Sequence, residues 1–173
     1  VLTARVEIRT PRFRLRELTV EDATDRYLAW FRDPQAAQYI TAAPDTTALA
    51  DLRQYLSERV DRDDVLFLGI FDQSTSLHIG NIKYEPVSSL EGYAVMGILI
   101  GDPAWRGRGV AGEVLEASGR WLRQHCGILQ IVLGVSASHA NAIRTYESAG
   151  FVIEATPYIS VPHRETLTMV WRL

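Results

Sequence analysis

Cysteine is nearly missing from this 173-residue chain, which has only Cys126. One thiol excludes an intrachain disulfide and a multi-cysteine zinc site, and it suits the reducing cytoplasm, where the chain is expected to work. Long apolar runs are missing too. The longest, Ala94 to Gly101, falls far short of the roughly 20 residues a membrane helix needs, and its branched residues read as a buried strand. Val1 to Arg16 places Arg5, Glu7, Arg9, Arg12, Arg14 and Arg16 among its apolar residues, which breaks any secretory-type core and reads as folded protein. A basic excess is the third absence. Lys and Arg total 18 against 21 Asp and Glu, a net charge of -3, so the broad positive surface of a nonspecific nucleic-acid binder is lacking. No nucleic-acid partner, membrane partner or metal is expected. With 47% hydrophobic residues and no repeat, low-complexity stretch or linker, residues 1–173 are expected to form one domain around one core.

Alternation from Arg12 to Leu18 predicts a half-buried strand with Phe13 and Leu15 facing inward. Helical spacing of Ala23, Tyr27, Trp30 and Phe31 follows and stops at Asp33-Pro34; a second helix is expected after Pro44-Asp45-Thr46, on Leu49, Leu52, Tyr55, Leu56 and Val60. Three short branched or aromatic runs then predict strands over 65–71, 77–84 and 93–100. Next come a helix from near Gly107 to before Gly127, a strand over 128–135, a helix over about 140–148, and two strands, 151–153 and 165–171, able to pair with each other.

The sharpest local signal is Ile98-Leu99-Ile100-Gly101-Asp102-Pro103-Ala104-Trp105-Arg106-Gly107-Arg108-Gly109-Val110-Ala111, a strand, a turn and a glycine-rich helix start. Backbone N–H groups at a helix start lack intrahelical acceptors, the helix dipole favours negative charge, and glycine permits close approach, so phosphate is a natural ligand. A tight strand-to-helix connection explains the same glycines. There is no Lys-Ser or Lys-Thr after a long glycine loop and no dinucleotide-type glycine spacing, which disfavours ATP hydrolysis and hydride transfer.

Two motifs carry a family resemblance. Arg106-Gly107-Arg108-Gly109-Val110-Ala111 is similar to the Gln/Arg-x-x-Gly-x-Gly/Ala coenzyme A pyrophosphate loop of the Gcn5-related N-acetyltransferase (GNAT) superfamily. Asn141 to Phe151 resembles that superfamily's Asn, Tyr and Gly-Phe spacing, loosely around Arg144. The resemblance spans nearly the whole element order and points to the branch of ribosomal-protein N-terminal and small-molecule amine acetyltransferases. It implies an α/β fold, mixed and α+β-like, with a central, mostly antiparallel twisted sheet of about seven strands flanked by about four helices. It also implies acetyl-CoA as cosubstrate, lying where two strands splay. Ile98, Leu99 and Ile100 would face the cofactor, the amides of Arg106, Gly107, Arg108, Gly109, Val110 and Ala111 would hold its pyrophosphate, and Asn141 and Tyr146 would contact it from the next helix. The acetyl group would pass directly to a primary amine of a small molecule, an amino sugar among the candidates, or of a protein N-terminus. Cys126 would be a small buried side chain with no covalent role.

Individual roles follow. Tyr146 is the candidate general acid toward the coenzyme A thiolate, with core packing as its competing role; Asn141 positions cofactor or caps its helix. Many relatives carry a glutamate where this chain has Val95. Glu85 and Glu91 are therefore the candidate bases, with His78 and His139 behind them. Trp30, Phe31, Tyr39 and Tyr55 are aromatic candidates for the acceptor pocket or for the core, and Tyr158 and His163 sit in the last connection. The missing strand glutamate also motivates an alternative, a noncatalytic acyl-CoA-binding or sensing domain. A monomer or a homodimer is compatible with this composition.

Overall fold

The alternation of Phe13–Glu17 does build a strand: Phe13 and Leu15 are fully buried while Arg14 and Arg16 lie on the other side. In the computed structural model, which describes residues 5–34, 47–160 and 165–173, this strand is β2. It pairs with β1 (Glu7–Arg9), a three-residue strand whose only inward side chain is Ile8, too short and too charged for a period of two to register. Six more strands complete one sheet: β3 (Leu66–Asp72), β4 (His78–Ser88), β5 (Tyr93–Ile100), β6 (Gln130–Ser136), β7 (Val152–Ile153) and β8 (Thr166–Arg172). The order is β1-β2-β3-β4-β5-β6-β8-β7, eight strands among the described residues where the sequence predicts about seven. Every neighbouring pair is antiparallel except β5 with β6.

Four α-helices flank the sheet among the described residues: α1 (Asp25–Trp30), α2 (Leu49–Ser57), α3 (Val110–Cys126) and α4 (Ala140–Ala149). The expected helix from Val20 to Phe31 is divided. A 3-10 turn at Val20–Asp22 ends where the Asp22 carboxylate turns back to the Thr19 N–H and to the Arg16 guanidinium, and Thr24 then caps α1 by accepting from the Tyr27 N–H. α3 lies between Gly109 and Gly127, both left-handed, and α4 stops at left-handed Gly150, a backbone that side-chain-bearing residues adopt only with strain.

The two faces of the sheet carry separate cores. On one, Val114, Leu115 and Leu122 of α3 pack on Leu68, Ile82, Met96 and Leu133, and Tyr84 Oη shares a 2.8 Å hydrogen bond with Ser118 Oγ. On the other, Tyr27 and Trp30 of α1 and Leu52 and Leu56 of α2 pack on Leu18, Phe67 and Phe71. Burial of each such side chain contributes about 1.5–3 kcal/mol, so both helical layers are held by packing rather than by intrinsic helicity.

One irregularity organises the site. The β5–β6 ladder contains only Tyr93↔Gln130, Ala94↔Ile131 and Val95↔Val132. Beyond it β5 stays paired to β4 as far as Ile100, and β6 to β8 as far as Ser136, so the edges that face each other part company.

Candidate active site

A cleft of about 1240 Å³ opens at this divergence, bounded by the end of β5, the start of α3 and one side of α4. Ile98, Leu99, Ile100, Arg106, Gly107, Gly109, Val110, Ala111, Asn141 and Tyr146 all line it. Residues drawn from three stretches of sequence thus meet in one cavity. Of the expected cofactor contacts, Arg108 alone is not among the lining residues; it is exposed, and its carbonyl accepts from Arg12 Nη1 at 2.9 Å.

The floor at α3 is made of backbone. None of the N–H groups of residues 107–112 makes a well-formed hydrogen bond to an acceptor among the described residues; the first amide of this stretch to do so is Glu113, which donates to the Gly109 carbonyl. Gly107 and Gly109 hold φ of +68° and +72°, which turns the chain tightly into the helix, and a Cβ on Gly107 or Gly112 would meet no atom within 4 Å. Six successive donors at a positive helix end, with open space beside the glycines, fit a diphosphate. The Arg106 side chain does something else: its guanidinium donates to the carbonyls of Ile100 and Gly101 and pairs with Asp33 at 2.6 Å, tying the end of β5 to the end of α1. Arg12 and Glu113, which motif reading did not single out, brace the loop from below. Glu113 accepts from the Thr10 hydroxyl, the Arg12 N–H and Arg12 Nε, which together hold its carboxyl below the ordinary range against the opposing effect of burial. They lie about a hundred positions apart in the chain, so no local pattern links them.

Tyr146 projects from α4 into the cleft, with its ring 5.7 Å from that of Phe151. Burial pushes its phenol up to about 12, so Oη keeps its proton throughout the neutral range. Asn141, in the first turn of α4, also lines the cleft and accepts from Arg144 through Oδ1. His139, the residue preceding α4, lines it as well, and desolvation lowers its pKa.

On the opposite face of β5, the register places Lys83 against Gly97, and the β4 bulge sets Glu85 and Pro86 together against Val95. Lys83 Nζ donates to Tyr55 Oη at 3.1 Å and to Glu85 Oε2 at 2.7 Å. Arg59 Nε reaches Glu85 Oε2 at 3.0 Å, Arg62 Nη1 reaches Oε1 at 2.8 Å, and the Arg59 guanidinium lies 3.9 Å over the Tyr55 ring. Two candidates chosen from sequence for different reasons, Tyr55 and Glu85, are therefore joined through a residue that sequence reading passed over. Burial alone would raise the Glu85 carboxyl, but Lys83 and Arg59 together hold it below its ordinary value. A carboxylate committed to three cations is a poor proton acceptor.

Other candidates lie elsewhere. Glu91 is exposed at the β4–β5 turn, where it accepts from Ser88, away from the cleft lining. Trp30 is 4% exposed and packs in the α1–α2 core against Tyr27 and His78; a Cβ on Gly101 would fall 1.9 Å from its indole, so it holds α1 to the end of β5 rather than lining a pocket. Phe31 stacks on Tyr27 in the same core. His78 is buried among Phe71, Tyr27 and Trp30, its Nε2 is 2.7 Å from Asn81 Oδ1, and burial lowers its pKa. Tyr158 stacks on Tyr93 at 3.9 Å, at the start of β5. Cys126 is half-buried at the last residue of α3, and burial pushes its thiol up. Tyr39 and His163 lie outside the described residues.

Among the described residues no group of three or more His, Cys, Asp or Glu is placed to hold a metal ion, and no helix is long and apolar enough to cross a membrane. The family model for the acetyltransferase (GNAT) domain matches residues 12–152. No curated protein sequence matches the chain. Among solved structures it is similar to a spermidine N-acetyltransferase from Vibrio cholerae in complex with CoA and spermine, at 17% identity over 94% of this chain and 96% of that one, with a TM-score of 0.79. It is also similar to a ribosomal L7/L12 alpha-N-protein acetyltransferase in complex with coenzyme A, at 14% identity over 97% and 98%, TM-score 0.82. A third is AAC(6')-Ib in complex with paromomycin and acetyl-CoA, at 21% identity over 91% and 92%, TM-score 0.74. At these identities the likeness is one of fold.

Proposed function

The chain belongs to the GNAT acetyltransferases, and on that premise we propose that it transfers the acetyl group of acetyl-CoA directly to a primary amine of a small molecule or a protein N-terminus. The cofactor occupies the cleft between α3 and α4, and the amine arrives from the α1–α2 face. One observation carries the proposal: the end of β5 beyond its pairing with β6, the glycine-rich start of α3 and Tyr146 meet in one cavity. The resolved complexes of similar proteins, with spermine, with paromomycin and with CoA, support an amine acceptor and a coenzyme A donor.

Acetyl-CoA, when bound, supplies an acyl group activated as a thioester. The protein's residues do the rest. The amides of 107–112 hold the diphosphate without any side-chain charge, and Gly107 and Gly109 let it approach. The edge of β5 beyond Val95 offers unpaired N–H and C=O groups that orient an extended amide-bearing chain. Tyr146 Oη holds the proton needed by a leaving thiolate. The proton of the attacking amine leaves to water or to His139, which lines the cleft with a lowered pKa, because Glu85, the carboxylate beside Val95, is already committed to Arg59, Arg62 and Lys83. An α-amine, with an ordinary pKa of about 8, is partly neutral at physiological pH without a dedicated base.

Purified protein, acetyl-CoA and a panel of amines, with free thiol measured over time, test this. Release of thiol matched by acetylated amine is the expected result. Tight acetyl-CoA binding with no turnover on any amine would replace the enzyme reading with a sensor.

A further inference from the structure

We propose that the acceptor is a small primary amine that also carries a carboxylate or phosphate, and that Lys83 and Tyr55, on the face of β5 opposite the cofactor cleft, grip this anion; the inference rests on the acetyltransferase reading of that cleft. Lys83 is the chain's single lysine. On β4 it stands directly across from Gly97, two residues beyond the last β5–β6 pair at Val95, and a Cβ on Gly97 would meet nothing within 4 Å, so the space beside it is open.

The unsatisfied groups here are donors. An ammonium has three N–H bonds; two of those on Lys83 go to Tyr55 Oη and Glu85 Oε2, and the third has no acceptor among the described residues. Tyr55 Oη accepts from Lys83, and its own O–H likewise has no acceptor among them. Most of the local acceptor capacity is taken, since Glu85 Oε1 receives Arg62 and Oε2 receives Arg59 and Lys83. Three cations therefore converge on one carboxylate, and the side chains of Lys83, Arg59 and Glu85 are only 16–18% exposed, whereas the other acidic partners, Glu58 and Asp64, are 55% and 44% exposed to solvent. A ligand anion completes the set. A second ligand cation would meet like charge and no free carboxylate, which disfavours polyamines.

Matched acceptor pairs that differ in the anion test the proposal: O-phosphoethanolamine with ethanolamine, glucosamine 6-phosphate with glucosamine, β-alanine with β-alaninamide, and spermidine as the polycation. The expected result is kcat/KM higher by roughly tenfold or more for the anionic member of at least one pair, the phosphate and carboxylate arms showing which anion is read. Lys83→Met should collapse that ratio mainly through KM, and Lys83→Arg should retain most of it. Equal or better turnover of the neutral member in every pair, spermidine as the best acceptor, or a ratio that survives Lys83→Met would overturn the inference. The wild-type panel decides even if Lys83→Met fails to fold. Turnover without anion preference sinks this inference alone, whereas no turnover on any amine sinks the proposed function with it.

Discussion

The two sides of β5 solve recognition with different materials. On the α3–α4 side the donors are six backbone amides, and the side chains near them mostly brace the loop: Arg106 ties β5 to Asp33, and Arg12 joins Glu113. On the α1–α2 side the groups proposed for recognition are side chains, Lys83 and Tyr55, brought together from β4 and α2 and held by Glu85. A site made of backbone tolerates sequence change so long as the turn survives. A site made of side chains changes specificity with one substitution while the fold stays as it is.

That contrast can be broken or sharpened by substitution. Tyr146→Phe removes one oxygen from the backbone side; kcat should fall by about 100-fold or more if the hydroxyl supplies the proton, while acetyl-CoA affinity by calorimetry stays within about threefold. Unchanged kcat would make Tyr146 a packing residue. Gly109→Val forces a branched side chain into φ +72° at the mouth of the amide row and should weaken acetyl-CoA binding by roughly 10- to 100-fold, with circular dichroism reporting that the protein still folds. Native affinity in that variant would mean the amides do not carry the diphosphate.

Gly101→Ala acts on the other side. Its Cβ would collide with the Trp30 indole, so about 1–3 kcal/mol of stability should be lost in chemical denaturation, with acetyl-CoA affinity changing less than in Gly109→Val. The smallest effect expected is in pH dependence. Burial lowers the pKa of His78, so below its unfolded value near 6.5 the unfolded chain takes up a proton that the folded chain resists. Stability therefore falls as pH drops through 6.5, because protons bind the unfolded chain in preference to the folded one. Urea midpoints at pH 7.5 and 5.5 should differ in that direction, and less so in His78→Gln.

The same contrast explains what was legible in the sequence. Strand and helix periods came through wherever one face is buried, as in Phe13 and Leu15 of β2 or Val114, Leu115 and Leu122 of α3. The glycine turn into α3 was legible because a backbone feature leaves a contiguous trace: Gly107 and Gly109, two apart at a helix start, both hold positive φ. Strand β1 escaped because three residues with a single inward Ile8 carry no period. Lys83 escaped for a deeper reason. Its role depends on the register that sets it against Gly97 and on a helix 28 positions earlier that supplies Tyr55, and neither is encoded near it. Trp30 stayed open between pocket and core because α1 was visible but its contact with Gly101, seventy positions on, was not.

The short β5–β6 ladder bears on endurance as well as on access. Among the described residues three pairs form the only direct strand pairing between the two halves of the sheet, β1–β5 and β6, β8 and β7, and the facing edges carry no strand pairing beyond Val95 and Val132. On the proposed reading, a cosubstrate seated between those edges would act as extra rungs. Because it binds only the folded form, it raises the unfolding free energy with its concentration, by about 2.7 kcal/mol at a hundredfold excess over its dissociation constant. On that reading the protein is sturdiest when loaded and weakest after its thioester is spent and the carrier has gone.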